Sequence, residues 1–391
     1  LVVAGSADAP QGQLDLKGDR LGMGDQRLRQ LTLQARLDAR QNATLQLDAS
    51  QLQAGDKALG DLSLKASGDK QRQQLETRLQ GPLLDLQLAL DGLLDKGDWR
   101  GRLSRGELQS GGQDWRLEQP AKLQRLADGR LELGAHCWRS GPASLCGGDQ
   151  RLLPEPKLDY RLRDFPLDSL AEWLPDDFAW HGTLDGDVQL ELPARGPSGR
   201  VQLDASNGVL RLREEGKDGK WVDFPYQAMR LESTLRPQSI DSRLLFQGER
   251  LGRLQVDARL DPRPPRKPLS GDFRLEGLDL AVLRPFVAGV EELEGQLDGA
   301  GTLGGTLLAP NVLGQVRLHG GKLAGGDLPT RIEDLNLDAR IAGESLELSG
   351  AWRSGEKGNG NLSGTLAWSC PQPPIAARPS GISRQENTTV S

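Results

Sequence analysis

Leucine and polar residues alternate along most of the chain. The first stretches carry Leu14 and Leu16, then Leu31 and Leu33, then Leu45 and Leu47, then Leu62 and Leu64, each pair separated by one polar residue. A period of two puts every Leu on one face of a strand and every Asp, Gln or Arg on the other, whereas a helical period would scatter them. The pattern returns at Leu86 and Leu88, Leu131 and Leu133, Val188 and Leu190, Val201 and Leu203, Leu254 and Val256, Leu335 and Leu337, and Leu346 and Leu348. Between these runs lie Gly, Asp, Asn and Ser, which supply turns, and the strand-to-strand spacing of roughly a dozen residues predicts antiparallel pairing.

Two segments break the alternation. Residues 166–174 place Leu167, Leu170, Ala171 and Leu174 on one face of a short helix that Pro175 ends. Residues 278–283, ahead of Pro285, look similar. Each is followed by a Gly-x-Leu-Asp-Gly run, at Gly182–Gly186 and Gly295–Gly299. The two copies, about 113 to 115 residues apart, read as an internal repeat of an elongated architecture. The expected organisation is a sheet segment with a cysteine hairpin at 1–165, a repeat opened by a short helix at 166–277, a second repeat at 278–368, and a tail at 369–391. That tail contains no Leu and reads as disordered, as a linker or as sequence foreign to the rest.

Composition sharpens this picture. Hydrophobic residues are 36% and aromatics 4% of the 391, and Leu is by far the commonest apolar residue. A densely packed sandwich draws on mixed shapes, whereas near-uniform Leu suits the lining of a groove that flexible chains occupy. The expectation is an all-β fold: an elongated, curved antiparallel sheet with a hydrophobic interior and one or two short helices. A Leu-cored secreted β-sandwich is the alternative. No run of about 20 apolar residues occurs, which excludes a bundle of membrane-spanning helices. The net charge of -6, with both signs interspersed, lacks the basic face of a nucleic-acid binder.

Chemistry-bearing motifs are sparse. Cys137 and Cys146 flank the Gly141-Pro142 turn, so the two thiols would meet across a hairpin; a disulfide there implies an oxidising compartment, and two reduced, half-buried thiols are the alternative. His136 beside Cys137 lacks a second His to complete a metal site, and His181 and His319 are far off in sequence. There is no G-x-S-x-G elbow, P-loop or H-E-x-x-H, so neither an enzyme nor a cofactor or metal is expected.

The run His136-Cys137-Trp138 with Ser144-Leu145-Cys146, together with the repeated helix and Gly-x-Leu-Asp-Gly organisation, resembles the TamB family of translocation and assembly module subunits. That family lies within the AsmA-like, bridge-like lipid-transfer superfamily. The similarity runs over about residues 1–368 as an internal stretch of a longer protein. The resemblance implies a periplasmic protein anchored in the inner membrane, with a taco-like β-groove that takes phospholipid acyl chains. It also implies pairing with an outer-membrane assembly barrel of the TamA kind, and a part in assembling autotransporters and other outer-membrane client proteins. Cys137 and Cys146 match the family's disulfide pair, and the alternating residues named above match groove-lining positions. The family's N-terminal anchor and its C-terminal partner-binding region have no counterpart in this sequence. A chaperone-like scaffold that adds client strands to its sheet edges is the rival functional reading.

Overall fold

The computed structural model describes residues 1–367 except 6–9, 25, 56, 70, 214–218, 287–289, 326–330 and 357; the expected tail at 369–391 lies outside the described residues. The fold is all β. One antiparallel sheet of 26 strands runs from Val2–Gly5 to Gly358–Ala367, and a second sheet has three strands. Most strands pair with their neighbours in sequence through short turns, so the sheet extends hairpin by hairpin. Strands laid down this way lengthen a sheet instead of returning to cover it, and the two large facing sheets of a β-sandwich do not form. The expected short helices are present at Leu167–Trp173 and Leu280–Phe286 as 3-10 segments. Each is only seven residues long, too short for α-helical propagation to outweigh its costly first turn.

Antiparallel pairing gives the sheet two long edges, along which the hairpin ends line up. One carries the turns at 80–85, 110–113 and 140–143, both 3-10 helices and the three-stranded sheet. That smaller sheet consists of Phe178–His181, Gly208–Arg213 and Trp221–Tyr226. These strands continue the large-sheet strands Thr183–Glu191, Ser198–Asp204 and Ala228–Arg236 in the same order, bent over at Gly182, at 205–207 and at Gln227. The bend at Gly182 uses φ 136°, which a β-carbon disfavours. The folded tips bring Phe224 and Tyr226 against Leu251 and Val282, with Met229, Phe246 and Leu278 of the large sheet and its flank packed beneath. These side chains form a buried apolar cluster, and it roofs part of one sheet face along this edge.

The repeat has a structural meaning. In the strand Lys157–Pro166 the register slips between Leu162 and Phe165, and in Leu269–Asp279 it slips between Leu275 and Leu278. Each slip is a β-bulge around one residue with positive φ, Asp164 at 52° and Gly277 at 66°. The Asp of each Gly-x-Leu-Asp-Gly run fastens that bulge. The Asp164 N–H donates to Asp185 Oδ1 at 2.9 Å and the Gly277 N–H to Asp298 Oδ1 at 2.8 Å. The same device recurs where the Gln51 N–H donates to Asp61 Oδ1 and the Gly320 N–H to Asn336 Oδ1. A bulge bends its strand and adds twist, so these four fasteners set where the long sheet turns. Asp298→Ala leaves the Gly277 N–H without its acceptor. The expected result is a loss of about 1 kcal/mol in urea unfolding and faster hydrogen exchange at the Gly277 amide, with a smaller effect for Asp298→Asn.

Candidate functional site

Residues directly across from one another on antiparallel strands share a face. Followed strand by strand, the register carries one apolar row across the sheet. It begins Leu16–Leu33–Leu47–Leu64 and passes through Thr77 and Leu88 to Gly106. Beyond the cysteine hairpin it runs Leu145–Leu162–Gly186–Leu203–Leu231–Leu244–Val256–Phe273. It ends Gly301–Gly314–Ile341–Leu346–Leu366. The alternating residues named from sequence, Leu14 through Leu348, all fall on this face. They are half-buried, and Leu16 is 44% exposed. A sealed core would bury such leucines almost completely, as Leu167 is buried at 1%. The face is therefore a continuous apolar surface that stays half open over most of its length.

Four aromatic residues that the alternation did not single out complete the lining. Trp99 lies over Gly92 and Gly101, Trp138 over Gly106, Phe273 over Gly301, and Trp352 over Gly360. In each case a β-carbon on the glycine would come within 2.7 Å of the ring, so ring and glycine are matched shapes. For three of the four the signal in the sequence is a Gly at an inward position and an aromatic on the same or the next strand, which an alternation read only in Leu passes over; Trp138 reaches Gly106 across the intervening strand Gln113–Leu117. The strand Gln73–Gln80 was passed over too, because Thr77 sits between its inward Leu75 and Leu79.

Polar groups on this face are few and mostly satisfied. Ser233 and Ser242 stand opposite one another and share a 2.8 Å hydrogen bond. His136 is 7% exposed, its Nδ1 lies 2.9 Å from the Gly134 carbonyl, and its ring meets Tyr160 edge to face. The nitrogen against a carbonyl must carry the proton, so His136 is a packed, hydrogen-bonded residue. No cluster of three metal-binding side chains occurs among the described residues. Cys137 and Cys146 are directly opposite in their hairpin and disulfide-bonded, on the polar side, with Trp138 and Leu145 pointing to the apolar side.

The opposite face is a lattice of exposed cross-strand ion pairs. Arg243 meets Asp257 at 2.6 Å, Arg230 meets Asp204 at 2.8 Å, and Asp241 lies between Arg236 and Arg259. Each such pair contributes at most about 1 kcal/mol in water. Together they give the sheet one wet face and one greasy face. The Arg259 hydrogen bond holds the Asp241 carboxyl below its usual range, Gln255 and Arg243 do so for Asp257, and Arg263 brings Asp261 to about 2.

A family model described as the TamB N-terminal domain matches residues 1–318. The chain belongs to the TamB family. A curated TamB, the translocation and assembly module subunit of Haemophilus influenzae, is 20% identical over 382 residues. That match covers 94% of this chain and 29% of the relative, so the chain spans under a third of that TamB. No solved structure matches it. Among the described residues of this TamB-family chain, no helix is long and apolar enough to cross a membrane.

Two outcomes follow from this site. Replacing both Cys137 and Cys146 with Ser removes a link across a sequence separation of nine; the expected loss is about 2–3 kcal/mol in non-reducing denaturant titration. A carboxyl with a lowered folded pKa stabilises the fold above its unfolded value of about 3.9 and loses that contribution as pH falls through the folded value. Melting temperature is therefore expected to stay level from pH 7 to 5 and to fall between about pH 4 and 2, as followed by circular dichroism.

Proposed function

We propose that this chain conducts phospholipid acyl chains along its apolar face, as part of a periplasmic path between inner and outer membranes. The observation that carries this reading is the in-register apolar row, which crosses the strands along the long axis of the sheet. At ~4.8 Å per strand its contour is on the order of 100 Å. An acyl chain leaving water gains about 0.8 kcal/mol per buried methylene, and a lining of similar residues offers the same gain at every step. Movement then needs no deep well to be escaped. The charged face opposite lets such a path run through an aqueous space, and no bond is made or broken, so no catalytic residue is required.

In the whole protein, by this reading, an inner-membrane anchor precedes the path, and an outer-membrane assembly barrel receives it. Assembly of outer-membrane proteins, autotransporters included, follows from supplying or ordering lipid at that barrel. The rival scaffold, which would add client strands at sheet edges, is served less well by this fold. Hairpin-by-hairpin pairing satisfies both sides of most described strands, and the one-sided strands are few: Val2–Gly5, Gly358–Ala367 and the two short outer strands of the small sheet, Phe178–His181 and Trp221–Tyr226.

Native mass spectrometry of the purified chain tests the reading, with co-purified phospholipid expected. Leu203→Arg and Leu88→Asp place a charge in mid-row. They are expected to abolish lipid photocrosslinking beyond the substitution and to weaken the outer-membrane barrier in cells. Crosslinking and barrier function equal to wild type in both variants would sink the proposal.

A further inference from the structure

The two long edges of the sheet are finished differently. One is roofed by the 3-10 helices and the folded strand tips. The other carries only turns, and Leu93, Leu94, Leu153, Leu192 and Leu308 stand 41–86% exposed along it. On this open edge, at the ends of the hairpins closed by residues 38–42 and 69–72, lies a cavity of about 520 Å³. Its floor is Leu37, Ala43, Leu45, Ala66 and Leu75, all on the apolar face, and its far wall is Trp99. Trp99 is held there by shape, because its indole lies across Gly92 and Gly101, where a β-carbon on either glycine would collide with the ring.

We propose that this cavity is a lateral port that admits and holds a single esterified acyl chain, with Trp99 as its wall. The proposal rests on the acyl-chain reading of the apolar face, and the cavity floor is continuous with that face. Its volume lies within the range of small-ligand sites, about 300–1,000 Å³. The rim selects among amphiphiles. It carries Gln41, Gln73 and Asp69, and neither Lys nor Arg is among the residues that line the cavity. The Asp69 carboxyl accepts hydrogen bonds from the backbone N–H groups of Gln71 and Arg72, which favour its ionised form. A free fatty-acid carboxylate would meet the like charge of Asp69 at this rim. A tail whose carboxyl is esterified meets the side-chain amides of Gln41 and Gln73 instead.

The test uses the full chain, lysophosphatidylcholine with a diazirine at the tail end, and the matching diazirine fatty acid at pH 8, with labelled peptides read by mass spectrometry. The lysolipid is expected to label the segments around 37–45, 66–75 and 99, and the fatty acid to label them several-fold less. Ala66→Trp fills the cavity and Trp99→Ala removes its wall. Each is expected to lower labelling of these segments at least threefold while labelling around Leu254–Leu275 persists. If both variants keep the strand signature in circular dichroism and wild-type labelling at all segments, the port is refuted and the conducting face stands. Equal labelling by fatty acid and lysolipid refutes the selection by the rim. An absence of labelling anywhere on the chain refutes the port together with the acyl-chain reading.

Discussion

Two residues that face each other across an antiparallel pair point to the same side of the sheet, and this molecule depends on that rule holding through strand after strand. A slip of one residue anywhere would turn the apolar side of every later strand outward. The register holds across the sheet, and where it shifts a bulge absorbs the extra residue and returns Leu to the same side. The slips at Leu162/Phe165 and Leu275/Leu278 lie beside the fastened residues Asp164 and Gly277, so the chain bends without losing its face. The carboxylates that do this repeat with the helices. The repeated Gly-x-Leu-Asp-Gly run is a joint in the framework.

Keeping a greasy face half open is unfavourable, since each Å² of apolar surface left in water forgoes about 25 cal/mol. The molecule meets that loss locally. The folded tips bury Phe224 and Tyr226, the disulfide ties one hairpin, and the opposite face offers a dense supply of weak ion pairs. None of these is large alone. Stability is spread along the sheet, and no single core holds it.

Much of the architecture was legible in the alternation of Leu with polar residues, because period two is a direct image of strand geometry. The named pairs from Leu14 and Leu16 to Leu346 and Leu348 lie in strands and share one side. The helices at 167–173 and 280–286 were visible as breaks in that period, but their 3-10 character depends on backbone hydrogen bonds that side-chain spacing does not report. The strand tips folded at Gly182, 205–207 and Gln227 were not legible either. At Gly182 the alternation runs straight through the bend, whereas at 205–207 and at Gln227 it shifts by one residue, a shift that reads in sequence as an ordinary turn. The tiles of Trp99, Phe273 and Trp352 over glycines lie within one hairpin and show once glycine is counted as an inward residue, whereas that of Trp138 over Gly106 is hidden by sequence distance.

The hairpin-by-hairpin connectivity has a consequence for how such a chain comes to be folded. Pairing partners are close in sequence, so each new hairpin docks on one already formed, with a short loop to close and little entropy to lose. A chain threaded through a narrow channel, one end first, meets its partners in the order they emerge. The growing sheet is always a finished structure with one unfinished rim. Adding or removing a hairpin changes its length and leaves distant hairpins as they were, so proteins of this build are free to vary in length without redesign of the rest.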